Sequence, residues 1–161
     1  MDRLWSPWRY RYVSKASQSD ACIFCVKSGE QRDEENLILH RGLHNFVLLN
    51  LYPYTTGHLM VAPYAHIASL EDLPEETSAE LMQLTRAAVH HLRAVYRPQG
   101  LNAGMNLGEC AGAGVAGHLH MHVLPRWAGD ANFMTTIGET RIMPEELPET
   151  WRKLTAAFRG E

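Results

Sequence analysis

Three cysteines in 161 residues are too few for the disulfide framework of a small secreted domain. No apolar run approaches the roughly 18 residues that would signal a membrane span, and the stretch Met1 to Tyr10 has no apolar signal-peptide core. Positive charge is not in excess: 15 Lys and Arg stand against 18 Asp and Glu, a formal charge of −3. That balance offers nucleic acid no general footprint. Internal repeats and low-complexity blocks are lacking as well. What remains is a chain of ordinary composition, 45% hydrophobic and 20% charged, long enough for one domain with a sizeable core. A cytoplasmic location is expected, with neither membrane nor nucleic acid as partner.

Histidine is where the chain departs from the ordinary. His118, His120 and His122 alternate with Leu119, Met121 and Val123 in a run that ends at Pro125. Such alternation predicts a strand that carries the three imidazoles on one face, about 7 Å apart. Leu119, Met121 and Val123 then face a core. Imidazoles add little apolar burial, and each needs a hydrogen-bond partner, a metal or an anion. A chance histidine-rich surface is the plain alternative, and the regularity of the row argues for a site.

Residues 1–20 are aromatic and basic, then polar, and read as an arm that packs through its tryptophans; residues 21–161 read as a single domain. After Cys22-Ile-Phe-Cys25 a polar stretch runs to about Glu35. Strands are expected at Asn36–Arg41, Asn45–Leu51, His58–Ala62 and Leu101–Leu107, with the histidine strand fifth. Leu81, Leu84, Ala88, Leu92 and Val95 recur at helical spacing, so a long helix is expected over Glu75–Tyr96, between Pro74 and Pro98. A final helix is expected over Pro144–Phe158, with Glu145 and Glu146 at its positive end. Strands, helix, strands, helix make an α+β fold with a mainly antiparallel five-stranded sheet.

Two segments flank the row. Asn106 to Gly117 holds glycines at 108, 112, 114 and 117, whose backbone N–H groups can approach an anion closely. A flexible connector is the plain alternative; the loop's ending at three histidines favours a phosphate cradle. It is no Walker loop, because no Gly-Lys-Ser/Thr follows. Cys110 within it reads as incidental. Phe46, Leu48 and Asn50 share one face of a strand, two apolar side chains and a carboxamide, a surface suited to a purine and a sugar hydroxyl. An ordinary core strand ending in a turn-forming Asn explains them equally well.

Cys22 and Cys25 have metal-ligand spacing, but they are half of a tetrahedral site. No thioredoxin-like βαβ pattern surrounds them. His40 and His44 flank a turn, and His90 and His91 read as surface residues of the long helix. His66 follows the third strand in a loop, so a site closed by His66 and His118 is geometrically reasonable.

The pattern resembles the histidine triad superfamily, whose signature of three histidines alternating with apolar residues is met at every position from His118 to Leu124. Pro53, the run Gly57-His58-Leu-Met-Val-Ala-Pro63 and His66 resemble the segment that precedes it, and Cys22 and Cys25 resemble the zinc-binding branch. Leu4-Trp5-Ser-Pro7-Trp8-Arg9, Gly112-Ala-Gly114, Pro125-Arg126-Trp127 and Gly129-Asp130-Ala-Asn132-Phe133 are similar to one bacterial subgroup, that of diadenosine tetraphosphate phosphorylase.

The resemblance implies nucleotidyl transfer through a histidine–AMP intermediate, with diadenosine tetraphosphate and inorganic phosphate converted to ADP and ATP. It implies His120 as nucleophile, His122 as the residue that contacts phosphate or leaving group, and His118 as zinc ligand or support. Structural zinc would be held by Cys22, Cys25, His66 and His118. The triad itself would need no catalytic metal, although a divalent ion can accompany the nucleotide. Phe46, Leu48, Asn50, His58, Asn106, Gly112 and Gly114 are implied at the substrate, Asn50 at the ribose and His58 beneath the triad. Relatives that cleave nucleoside phosphoramidates often carry an acidic residue where Asn50 stands, and the fragile-histidine-triad hydrolases carry Gln near Asn106. Hydrolysis of dinucleoside polyphosphates or adenylylated small molecules is the close rival. Two other classes stand beside it: a metal-dependent hydrolase with all three histidines on one ion, and a nucleotide-binding protein without turnover. A homodimer or larger even-numbered assembly is also implied, with contacts through the long helix and the strand Leu101–Leu107.

Overall fold

The computed structural model describes residues 21–138, 140 and 142–160; the expected arm over residues 1–20 lies outside the described residues. Two short helices, α1 (Ile23–Gly29) and α2 (Asp33–Asn36), precede three antiparallel strands, β1 (Ile38–Arg41), β2 (Asn45–Leu49) and β3 (Leu59–Pro63). The long helix α3 (Glu75–Tyr96) follows, then β4 (Gly100–Met105), β5 (Met121–Arg126), the short α4 (Phe133–Thr136) and α5 (Leu147–Arg159). The sheet runs β1-β2-β3-β5-β4 and every neighbouring pair is antiparallel. The expected α+β class and five-stranded sheet are therefore observed.

Period-two alternation divides the sheet into two faces. Val47, Leu49, Leu59, Val61, Met121 and Val123 lie with Leu81, Ala88 and Leu92 of α3 and Leu154 of α5 in the main core. Phe46, Leu48, Met60 and Ala62 point the other way, to a second cluster completed by Ile38 and by Phe24 of α1. The site is built on this second face, because Met60 pairs with His122 across β3 and β5.

Several boundaries differ from expectation for identifiable reasons. The β5 ladder begins only at Met121, so His118 and His120 precede the strand although the alternation of faces continues through them. The third strand starts at Leu59, and His58 belongs to the turn before it. Gly57 makes that turn with φ +78°, and a Cβ there would stand 3.1–3.3 Å from Leu92, Tyr96 and Pro125, so only glycine suits both conformation and space. The last helix begins at Leu147 with Glu146 as its N-cap. Glu145 lies one residue earlier, where it accepts from the Tyr96 hydroxyl and Thr150 and pairs with Lys153. The polar stretch after Cys25 is helical: α1 is bound at its C-terminal end by Arg41, which donates to the carbonyls of Ser28 and Glu30 and pairs with Asp33.

The β1–β2 turn is held by one carboxylate. Glu80 of α3 accepts from the backbone N–H groups of Leu43, His44 and Asn45 at 2.6–2.7 Å and from Asn45 Nδ2 at 2.8 Å. Burial pushes its carboxyl up, but these hydrogen bonds outweigh burial and hold it below the usual carboxylate range. A carboxylate lowered in the folded state stabilises above the unfolded pKa, about 4.3. Its contribution fades as pH falls through the folded value. Glu80→Ala should therefore cost about 1–3 kcal/mol in urea unfolding at pH 7, and the deficit should be smaller at about pH 3, below the unfolded value. An equal deficit at both pH values would refute this account.

Candidate active site and metal-ligand cluster

The three histidines are buried, with exposures of 0% for His118, 6% for His120 and 9% for His122. Each is held differently. His118 Nε2 lies 2.9 Å from the carbonyl of Pro63; a carbonyl only accepts, so Nε2 carries the hydrogen and Nδ1 a lone pair. His120 Nδ1 lies 2.8 Å from the carbonyl of His118, which by the same reasoning places its lone pair on Nε2. His58 Nδ1 accepts from the N–H of Tyr54 at 3.1 Å, so its hydrogen is on Nε2. That hydrogen is donated to His122 Nδ1 at 2.9 Å. His122 in turn carries its own hydrogen on Nε2.

The three-histidine row thus presents three different functional ends. His118 turns a lone pair towards the cysteines, His120 presents an Nε2 lone pair, and His122 presents an Nε2–H donor. The imidazoles do not share one ion as three ligands would, because His118 and His122 commit their Nδ1 atoms to separate partners. Burial pushes His120 down, partly offset by its bond to the His118 carbonyl. Burial and the neighbouring His120 push His122 down to about 4. Both rings are neutral near pH 7, the state in which imidazole has a nucleophilic nitrogen.

The segment after β3 grips the row. Pro63 accepts from the His118 ring, and the carbonyl of Ile67 accepts from the N–H of Leu119 at 2.7 Å. That N–H belongs to the same peptide group as the carbonyl that orients His120. His66 Nδ1 lies 3.3 Å from His118 Nδ1, Cys22 Sγ 3.3 Å from it, and Cys25 Sγ 3.6 Å from it and 3.4 Å from His66 Nδ1. A lone pair on His118 Nδ1 cannot satisfy three such neighbours by hydrogen bonding. A tetrahedral shell of ordinary Zn–N and Zn–S lengths has N–N edges of about 3.3 Å and N–S edges of about 3.5 Å. The donor set therefore fits a metal: Cys22, Cys25, His66 and His118 offer ligand atoms all within 4.8 Å of one another. Both cysteines are free thiols.

The expected substrate residues have mixed environments. Phe46 and Leu48 are fully buried in the second cluster, together with Phe24. The Asn50 carboxamide oxygen accepts from the N–H of Tyr52 at 2.9 Å, and its Nδ2 stands 3.5 Å from His58 Nδ1; it closes the turn beneath the triad. Asn106 donates from Nδ2 to the carbonyl of Gly112 at 3.4 Å, and the N–H groups of Gly112 and Ala113 bond within the loop. The N–H groups of Gly114, Val115, Ala116 and Gly117 make no backbone hydrogen bond among the described residues. That four-residue run leads directly into His118.

Two ring-bearing residues escaped the sequence reading. Phe24, inside the Cys22–Cys25 pair, lies 5.0 Å from the His118 ring and 4.9 Å from the His120 ring. Tyr54 lies 4.7 Å from His58 and 6.2 Å from His122. The apolar residue between two ligand cysteines was the available signal for the first. For Tyr54 only its place four residues before His58 pointed to the site.

Comparison with known proteins agrees with this geometry. Residues 31–129 match the HIT domain. The chain is 46% identical to a Mycobacterium tuberculosis protein named AP-4-A phosphorylase, over 98% of this chain and 85% of that one. A crystal structure of a Zn-bound histidine triad family protein from Mycobacterium smegmatis superposes with a TM-score of 0.69 at 29% identity, covering 87% of this chain and 94% of that one. A HIT family member from Bacillus subtilis shares the fold, with a TM-score of 0.60 at 24% identity over 88% of this chain and 97% of that one. Among the described residues no helix is long and apolar enough to cross a membrane.

The hydrogen-bond pattern makes a direct prediction. Imidazole ¹⁵N spectra at neutral pH should show His120 with its hydrogen on Nδ1, and His58 and His122 with theirs on Nε2. A His120 signal from the Nε2–H form would overturn the assignment.

Proposed function

The chain belongs to the HIT domain family, and on that premise we propose that it is a nucleotidyltransferase that phosphorolyses diadenosine tetraphosphate. The observation that carries this reading is the opposed pair of tautomers: an Nε2 lone pair on His120 beside an Nε2–H donor on His122. The similarity to the Mycobacterium tuberculosis AP-4-A phosphorylase supplies the substrate class.

On this reading His120 Nε2 attacks an α-phosphorus, forming a P–N bond as the bond to the bridging oxygen breaks. ATP leaves with the electron pair, and the Nε2–H of His122 is the donor to the departing oxygen. His120 becomes cationic in the adenylyl intermediate, and its Nδ1–H is stabilised by the carbonyl of His118. Inorganic phosphate then attacks the adenylyl phosphorus, the P–N bond breaks, and ADP and neutral His120 are released. His122 keeps its hydrogen throughout, hydrogen-bonding the oxygen that departs as an anion. The N–H groups from Gly114 to Gly117 suit the phosphate charge, the role expected of Gly112, Gly114 and the Asn106 side chain. Asn50, already bonded through its oxygen, has Nδ2 to offer a ribose hydroxyl, while Phe46 and Leu48 support the base from below.

Cys22, Cys25, His66 and His118 would hold zinc in a closed shell, where it supplies a fixed anchor and no open position for water. Free thiols are consistent with a cytoplasmic location. The edge strand β4 exposes Asn102, Ala103 and Gly104, and α3 carries a groove with Met82, Val89 and Arg93. A second copy is the proposed occupant. Light scattering at micromolar concentration should give at least twice the chain mass, and a fully active monomer would remove that part of the reading.

Incubation with diadenosine tetraphosphate should yield ADP and ATP when phosphate is present. Products of AMP and ATP regardless of phosphate would make the chain a hydrolase. His120→Ala should lower turnover by more than about a hundredfold and abolish an acid-labile AMP adduct seen by intact-protein mass spectrometry in the native chain. The purified protein should contain about one zinc per chain, and Cys22→Ser should lose it.

A further inference from the structure

We propose that Phe24 is a positioning residue that couples the Cys22/Cys25/His66/His118 ligand set to the orientation of His120. The inference rests on His120 as the reacting nitrogen and on the ligand set holding a metal.

Phe24 lies between two of the ligand residues in sequence and against the proposed nucleophile in space. Its ring is 1% exposed and tilts by 41° and 37° against His118 and His120. The one hydrogen bond that the His120 ring makes among the described residues, from Nδ1 to the His118 carbonyl, fixes the tautomer but leaves the ring able to swing about that bond. Packing must supply the rest. His122 meets His120 edge-on at 4.8 Å, and Phe24 is the apolar wall at 4.9 Å.

The wall itself needs an anchor. The helix that bears it, α1, has seven residues and no side-chain cap at Cys22, far below the length at which a helix holds itself. Arg41 secures the C-terminal end through Ser28 and Glu30. The N-terminal end meets the body through Cys22 and Cys25 at His118 and His66, and through Phe24 in the second cluster. Metal in the ligand set therefore holds the first turn of α1, the first turn holds the Phe24 ring, and the ring limits His120. A separate route runs through the main chain of His118. Loss of metal is expected to loosen both, and loss of the Phe24 ring only the first.

The test uses the full chain as zinc-loaded and chelator-stripped protein, in native, Phe24→Ala and Phe24→Leu forms. Zinc per chain, the His120 imidazole ¹⁵N signals at fixed pH and the single-turnover rate of AMP transfer to His120 are read on each. Zinc-loaded Phe24→Ala should keep about one zinc per chain yet show exchange-broadened or displaced His120 signals. Its AMP transfer should be about ten- to hundredfold slower. Phe24→Leu should recover most of both. Stripping zinc from the native chain should change the His120 signals in the same direction. Stripping it from Phe24→Ala should add less, because one route is already lost.

Unchanged His120 signals in Phe24→Ala, or effects of substitution and stripping that simply add, would overturn the proposal. If Phe24→Ala fails to fold, Phe24→Leu and Phe24→Met carry the same comparison with smaller shifts. The spectra need no substrate, so absence of AMP transfer in the native chain would sink the functional reading and leave the coupling to be judged on the His120 signals.

Discussion

The Nδ1–H of His120 donates to the main-chain carbonyl of its own neighbour His118, and the proposed chemistry depends on that bond. An imidazole free to exchange tautomers presents Nε2–H for part of the time, and in that form the nitrogen facing a phosphorus has no lone pair. A carbonyl can only accept, so its presence on Nδ1 removes the inactive form. A backbone carbonyl is a better orienter than a carboxylate when the ring must stay neutral, since it adds no charge to raise the pKa. The requirement then passes to the peptide group between His118 and Leu119, which must not rotate. Its N–H is bonded to Ile67, and the His118 ring beside it is bonded to Pro63.

Segment 63–67 therefore serves two ends at once. Its carbonyls fix the peptide that orients His120, and its His66 enters the metal-ligand set with His118. This explains why a structural metal would sit so near a reaction that does not use it. Three buried imidazoles and a turn full of committed carbonyls give the second face of the sheet little apolar area of its own. The Phe24–Phe46–Met60 cluster supplies cohesion there, and a metal in the Cys22/Cys25/His66/His118 set would add an anchor, while α3 and α5 cover the other face with an ordinary hydrophobic core. Division of labour between faces follows directly from the period of two along β3 and β5.

Much of this was legible in the residues. Regular spacing from Leu81 to Val95 between two prolines located α3, since a long amphipathic pattern carries its own signal. Alternation at His118–Val123 gave the correct faces even though the ladder begins at Met121, because extended backbone alternates whether or not it is paired. The short helices α1 and α2 were not legible. Seven and four residues have no period to read, and their order comes from Arg41, Lys27 and the ligand cysteines, all contacts distant in sequence or fixed only by the fold. The same holds for Phe24, Tyr54 and Glu80. Each acts through a neighbour that only the tertiary arrangement brings near.

The Cys22-x-x-Cys25 turn shows how a local motif gains a second consequence from its placement. Two cysteines three apart on one turn of helix bring the intervening side chains round the ligand point, and one of those positions must face inward when the ligands do. In a free-standing knuckle that inward residue would merely fill space. Here the set that could hold a metal includes His118, two residues before His120, and the inward residue Phe24 lies along the histidine row. The apolar character of Phe24 follows from this: a polar side chain would compete for the Nδ1 hydrogen of His120 or for the lone pair of His118, and either exchange would alter a tautomer on which the site depends. A flat ring fills the space and offers no competing hydrogen bond of comparable strength.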